Sequence, residues 1–294
     1  MHYEIRLTVD YAFKKVFGEK KMAFMGFVNG VFAAKNKPLI KDVTFLNTEQ
    51  TRDNMKGKDI RLDVLAELED GSLVNIEVQT HAHTSFEQRS VYYWSTLYSQ
   101  SLKTGEGYRS LRKTICINVL DYVFFPDYQD KYHFSFGIKE NELNFPLTSH
   151  LEIHFLEVPK MRKIDYNEMS LLDKWLFLFK GISQPQMEEL AMQQQSLREA
   201  VEAIKKLAQD PKTRNEYNAR EKFLLDYTTD VKAAQEEGEA KGKAEGKAEG
   251  KAEGKAEGKA EALIKTAIAM KLEKLSVPLI VKLTGLSTEE IEKL

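Results

Sequence analysis

Two acids and an amide are the residues of this chain best placed to do chemistry together. Asp63, Glu77 and Gln79 lie in residues 57–80, GKDIRLDVLAELEDGSLVNIEVQT. Up to Leu68 the stretch alternates: Leu62, Val64, Ala66 and Leu68 share one face, and Arg61, Asp63, Leu65 and Glu67 the other, the period of a half-buried strand. It alternates again with Val74, Ile76 and Val78 against Asn75, Glu77 and Gln79, and Asp70-Gly71 between the runs marks a hairpin. A two-residue loop would set Asp63 opposite Val78 and mix the faces. A three-residue loop, Glu69-Asp70-Gly71 with Gly71 left-handed, pairs Val64 with Ile76 and Leu62 with Val78, and leaves Asp63 facing Glu77.

Carboxylates so placed have Cβ atoms about 5 Å apart, a destabilising arrangement unless something positive lies between them. A divalent cation suits the pair, and hard oxygen ligands with room for water and a phosphate oxygen describe a Mg²⁺ site better than a zinc site. Gln79 shares their face. The competing reading is a solvated hairpin face that carries acids.

The elements around the hairpin follow from pattern. VDYAFKKVFGEKKMAFMGFVNGVFAA predicts two short helices: Val9, Phe13, Val16 and Phe17 form the first stripe, stopped at Gly18, and Met22, Met25, Val28, Val31 and Phe32 the second. Asp10 takes the N-cap position, which is its preferred reading, and Lys14 and Lys15 could reach a phosphate but are of a type commonly exposed. After Pro38, VTFLNTEQ predicts a strand that brings Glu49 near the hairpin, followed by a charged loop with Arg52, Lys56 and Lys58. Beyond the hairpin, Thr84 and Glu87 have capping-box spacing and open a helix to about residue 103. On it Arg89 and Tyr93, four apart, share a face, with Arg89 suited to hold a phosphate by two parallel hydrogen bonds; Tyr92, Trp94, Leu97 and Tyr98 pack on the sheet. His81 and His83, without a cysteine or third histidine nearby, read as surface residues rather than zinc ligands. Strands at 113–120, 132–138 and 151–157 complete an α/β fold with a mixed sheet, sealed on one face by the long helix.

At 294 residues and 42% hydrophobic content the chain has room for one large or two ordinary domains. Its single Cys116 excludes a disulfide framework and reads as a buried small hydrophobe. No signal-peptide pattern or membrane-length apolar run is present, so a cytoplasmic location with no membrane partner is expected. Net charge is -2, but residues 1–61 hold twelve Lys or Arg against seven Asp or Glu, a local basic excess beside the hairpin. The expected domains are 1–181, the α/β domain; 182–236, a helical extension; 237–262, a GKAE repeat; and 263–294, a small helical element for association, through which copies of the chain could form a homo-oligomer. In the repeat each glycine costs a helix about 1 kcal/mol and every i,i+4 charge pair is of like sign, so a solvated spacer, helical in part, is expected.

DYAFKKVFG at 10–18, RLDVLAELEDGSLVNIEVQ at 61–79 and QRSVYYWSTLY at 88–98 together resemble the PD-(D/E)XK nuclease superfamily, within it the recombination-promoting nuclease and transposase-like branch, over about residues 5–180. The resemblance implies a restriction-endonuclease-like core and Mg²⁺- or Mn²⁺-dependent hydrolysis of DNA phosphodiesters, linked to recombination or mobile elements. It implies that Asp63, Glu77 and the Val78 carbonyl are metal ligands and that Gln79 stands where most of the superfamily has lysine; beside them, the residues read from pattern as DNA-binding are Arg89, Tyr93, Lys56 and Lys58, with Asp10 and Glu49 auxiliary. The rival is a nuclease-fold DNA-binding or protein-interaction module of weak activity.

Overall fold

The computed structural model describes residues 5–47, 62–82, 85–161 and 165–294. The chain opens with α1 (Asp10–Phe17) and α2 (Lys21–Ala33), then β1 (Val43–Leu46), β2 (Val64–Leu68) and β3 (Leu73–Gln79). After them come α3 (Phe86–Gln100), β4 (Thr114–Leu120), β5 (His133–Phe136) and β6 (Leu151–Glu157). The six strands form one mixed sheet in the order β1-β2-β3-β4-β6-β5. β1, β2 and β3 are an antiparallel meander, β3, β4 and β6 run parallel, and β5 is antiparallel to β6. This is the α/β, restriction-endonuclease-like architecture expected, with an all-helical C-terminal region.

Alternation along the strands divides the core. Val64, Ala66, Val74, Ile76, Val78, Ile115, Ile117, Val119 and Leu156 face one cluster, and Phe86, Cys116, Leu120, Phe134, Ile153 and Phe155 face another. The first cluster lies under α1, α2 and α4 (Leu171–Phe179). There Phe13, Phe17, Phe27, Trp175 and Phe179 stack with ring centroids 4.9 to 6.2 Å apart. Such aromatic pairs add roughly 0.5–1.5 kcal/mol each beyond their buried area. The stripe on α1 is as expected, with Phe13, Val16 and Phe17 buried. On α2 Val28, Val31 and Phe32 of the expected stripe are buried, but Phe24 and Phe27 complete the buried face while Met22 is 38% exposed. The reason is Gly26 and Gly30, which let α2 approach its neighbours: a Cβ on Gly26 would lie 2.3 Å from Ser196 Cβ, and one on Gly30 3.1 Å from the Leu172 nitrogen.

α3 begins at Phe86, with Ser85 at its N-cap; Thr84 and His83 lie outside the described residues. Its Trp94 stacks on Tyr98 at 4.9 Å and donates from Nε1 to the Thr114 carbonyl at 3.0 Å, which fixes the helix on β4. Ser170 and Asp173 cap α4 reciprocally. α5 (Gln184–Gln193) and α6 (Gln195–Gln209) add Met187, Leu190, Leu197, Ala200, Val201 and Ile204 to the first cluster.

The chain divides into two compact units, residues 1–226 and 227–294. The end of the helical extension and the repeat, expected to be helical only in part, are one unbroken helix, α7 (Pro211–Leu272). The difference lies in the balance of two terms: Ala, Lys and Glu are strong helix formers, and they outweigh the glycines, around which a Cβ would meet nothing within 4 Å. In the second unit α8 (Val277–Thr284) and α9 (Thr288–Lys293) fold back on the end of α7, burying Ala267, Ile280 and Ile291. Among the described residues no helix is long and apolar enough to cross a membrane.

Candidate functional site

The β2-β3 hairpin has the register that face matching demands: Val64 pairs with Ile76 and Ala66 with Val74. The Leu68 N–H donates to the Ser72 carbonyl at 2.9 Å, so Glu69, Asp70 and Gly71 form a three-residue loop, with Gly71 at φ 82°. Asp70 Oδ1 accepts the Ser72 N–H at 2.9 Å and tightens the turn.

At the far end β2 begins only at Val64, and Asp63 takes over the hydrogen bonding that a longer strand would have made. Its Oδ2 accepts the Val78 N–H at 3.1 Å, and its own N–H donates to Glu77 Oε1 at 3.2 Å. The Asp63 carboxylate thus holds the backbone of the residue next to Glu77, and the Glu77 carboxylate holds the backbone of Asp63 itself, which keeps the two acids together. Asn75, two residues back on β3, donates from Nδ2 to the same Glu77 oxygen at 3.0 Å. Because N–H and C=O of one strand residue point to the same side, the Val78 carbonyl also faces this edge.

Burial dominates the electrostatics. The Asp63 side chain is 13% exposed and Glu77 is buried. Desolvation raises both carboxyls, Glu77 well above its ordinary value, and the Asp63 charge adds to the Glu77 shift. Two cations oppose this, beside the hydrogen bonds that Val78 donates to Asp63 and that Asn75 and Asp63 donate to Glu77. Lys14 Nζ lies 3.1 Å from Asp63 Oδ1 and favours its ionised form, and the Arg89 charge does the same for Glu77 more weakly. Burial, and then the Glu77 charge, push the Cys116 thiol up, which leaves it inert as a nucleophile.

These residues fit a hard divalent cation. Asp63 and Glu77 form a buried pair short of positive charge, and the neighbouring Asn75 Oδ1 is buried with no hydrogen-bond partner among the described residues. Among those residues no group of three or more His, Cys, Asp or Glu side chains could hold a metal ion. An ion at the pair would therefore draw on two carboxylates, backbone carbonyl and water, a set suited to Mg²⁺ and unsuited to zinc.

The other expected site residues are placed as follows. Gln79 ends β3, half-buried, and its carbonyl accepts the Asp121 N–H at 2.8 Å. Arg89 lies with its guanidinium 4.7 Å from the Phe86 ring centroid and 5.8 Å from that of Tyr93, which gives it an aromatic cradle. Asp10 is the first residue of α1 and not its cap; Val9 holds that place, and Asp10 Oδ1 accepts the Tyr11 N–H at 2.9 Å. Its charge raises the Asp63 carboxyl further. His81 binds Thr80 and the Leu224 carbonyl through its two ring nitrogens. Glu49, Arg52, Lys56 and Lys58 lie outside the described residues.

Two neighbours, Asn75 and Lys14, were not assigned to the pair by pattern. Asn75 had a usable signal, since a residue two before Glu77 shares its face. Lys14 had none pointing to Asp63, because the contact joins elements 49 positions apart in sequence.

Neither a curated protein nor a solved structure matches the chain. A family model does, over residues 7–234, a span that holds α1, the hairpin with its two acids, and α3. An acid at the start of one strand and an acid two residues before an amide on the next, on a mixed sheet between helices, are thus set within a known lineage: the chain belongs to the PD-(D/E)XK nuclease family transposases.

Proposed function

We propose that this protein is a divalent-metal-dependent DNA endonuclease that hydrolyses phosphodiester bonds in recombination or mobile-element traffic. The observation that carries the reading is the Asp63–Glu77 pair, two carboxylates held side by side by the Val78 and Asp63 backbone N–H groups in a chain of this family. Asp63, Glu77 and the Val78 carbonyl would hold Mg²⁺ or Mn²⁺. Such an ion, when bound, neutralises charge on the phosphate and acidifies water. The Gln79 amide orients the attacking water, as an amide both donates and accepts. Arg89, held against Phe86 and Tyr93, grips the phosphate, and a planar guanidinium does so with two parallel hydrogen bonds. Lys56 and Lys58 add positive charge along the DNA, while Asp10 and Glu49 are auxiliary acids.

Gln79 in the place of a lysine favours a second reading, a nuclease-fold binding module of weak activity. Nicking of supercoiled plasmid by the full chain separates them. The endonuclease reading expects nicking with Mg²⁺ or Mn²⁺ that a chelator stops; a plasmid left intact in both metals supports the binding module.

A further inference from the structure

The carboxylate pair draws its nearest cation from a different element. Among the described residues Lys14 is the side chain in ion-pair contact with Asp63, with Nζ 3.1 Å from Oδ1. Its position is set by packing: Phe13, Val16 and Phe17 anchor α1 in the core, and a Cβ on Gly18 would lie 3.7 Å from Val64 Cγ2, so the end of α1 rests on the strand that follows Asp63. Lys14 is thereby presented to the site, while its own side chain stays 45% exposed on a flexible four-carbon stem.

An exposed lysine paired with a surface acid contributes little. This pair differs because its acid is nearly buried and stands against a second, buried carboxylate. Two acids stand together there, and Gln79, on the strand position nearest Glu77 on that face, brings no charge.

We propose that Lys14 is a positioning residue that supplies from α1 the positive charge the strand lacks at Gln79. It offsets the Asp63–Glu77 pair in the metal-free protein and contacts the phosphodiester when a metal takes up the pair. This rests on the endonuclease reading above.

The test uses the full chain as wild type, Lys14→Gln, Lys14→Arg and Lys14→Gln/Gln79→Lys, with Mn²⁺ binding by calorimetry and plasmid cleavage measured on each. Lys14→Gln is expected to bind Mn²⁺ about five- to tenfold more tightly, because a competing charge is gone. Its kcat is expected to fall about 10²-fold with KM little changed, the order lost with one positioned polar group. Lys14→Arg should retain cleavage within about tenfold, and adding Gln79→Lys should restore at least about tenfold of the loss, since charge at the site is what matters. Wild-type cleavage by Lys14→Gln overturns the proposal, as does a joint loss of Mn²⁺ binding and cleavage that neither Lys14→Arg nor Gln79→Lys relieves. Should Lys14→Gln not fold, Lys14→Arg and the wild-type background with Gln79→Lys carry the comparison, and inactivity of Lys14→Arg overturns it. A wild type that binds Mn²⁺ but cuts no DNA refutes the endonuclease reading instead, and unchanged Mn²⁺ affinity in Lys14→Gln then overturns the charge role as well.

Discussion

Glu77 is the residue where function and stability pull apart. Its carboxyl is buried against Asp63, so in the metal-free protein the folded state keeps a proton that the unfolded chain releases at ordinary carboxylate pH. A raised carboxyl therefore lowers stability as pH climbs from the ordinary carboxylate range through the folded value. The buried His133 and His154, pushed down to about 2 and about 3 by desolvation, act in the opposite sense and favour the fold as pH rises toward neutrality. Comparing Glu77→Gln with wild type cancels the histidines. The amide oxygen can still accept from Asp63 and Asn75, so the variant should be more stable at neutral pH by about 1 kcal/mol or more, a rise of roughly 2–4 °C in Tm per kcal/mol, with the gap closing toward acid pH. Thermal melts in chelator read this. A variant that melts lower than wild type at pH 7 would mean that the ionised pair stabilises the fold. At this scale Asp63 facing Glu77 was legible from alternation and turn length alone, because a one-residue slip would have turned every apolar side chain to the wrong face. The lock by Val78 and Asp63 backbone was not legible, since it arises only where β2 stops short.

At the scale of elements, glycine has two opposite uses. Gly26 in α2 sits against Ser196 with no room for a methyl group, whereas Gly246, Gly250 and Gly254 in α7 face open space. Gly26→Ala should therefore destabilise by about 1–3 kcal/mol through overpacking, despite alanine's better helix propensity. Alanine at the three repeat glycines should gain up to about 1 kcal/mol of local helix each, seen as a rise in far-UV ellipticity. Equal melting of Gly26→Ala and wild type would contradict the close approach of α2. The periodic stripe on α1 and the limits of β6 were readable because local pattern and burial agree there. On α2 Val28, Val31 and Phe32 were readable too, but that Phe24 and Phe27 rather than Met22 complete the buried face was not, since the helix's orientation is chosen by which residues are small enough to touch α4 and α6, a property of partners distant in sequence.

Over the whole molecule, the family span ends at residue 234, just before the repeat, and residues 238–258 are exposed throughout. Removing residues 238–294 should accordingly leave the first unit folded, with its Tm changed by less than the roughly 2–4 °C that 1 kcal/mol represents. A fall of many degrees in calorimetry would show that the first unit depends on the tail. The order of helices, meander, helix and further strands was legible because each has its own period and its own stop signals. The continuous α7 was not, because it turns on a small difference between helix propensity and the cost of repeated glycine.

The central claim is that Asp63 and Glu77 form the metal centre of a nuclease. Its most direct test is the initial rate of supercoiled-plasmid nicking in Mg²⁺ and in Mn²⁺ for wild type beside Asp63→Ala. The account predicts metal-dependent nicking by wild type and a loss of about 10²-fold or more in the variant, with the variant still folded by circular dichroism. Equal nicking by the two proteins in both metals would contradict it.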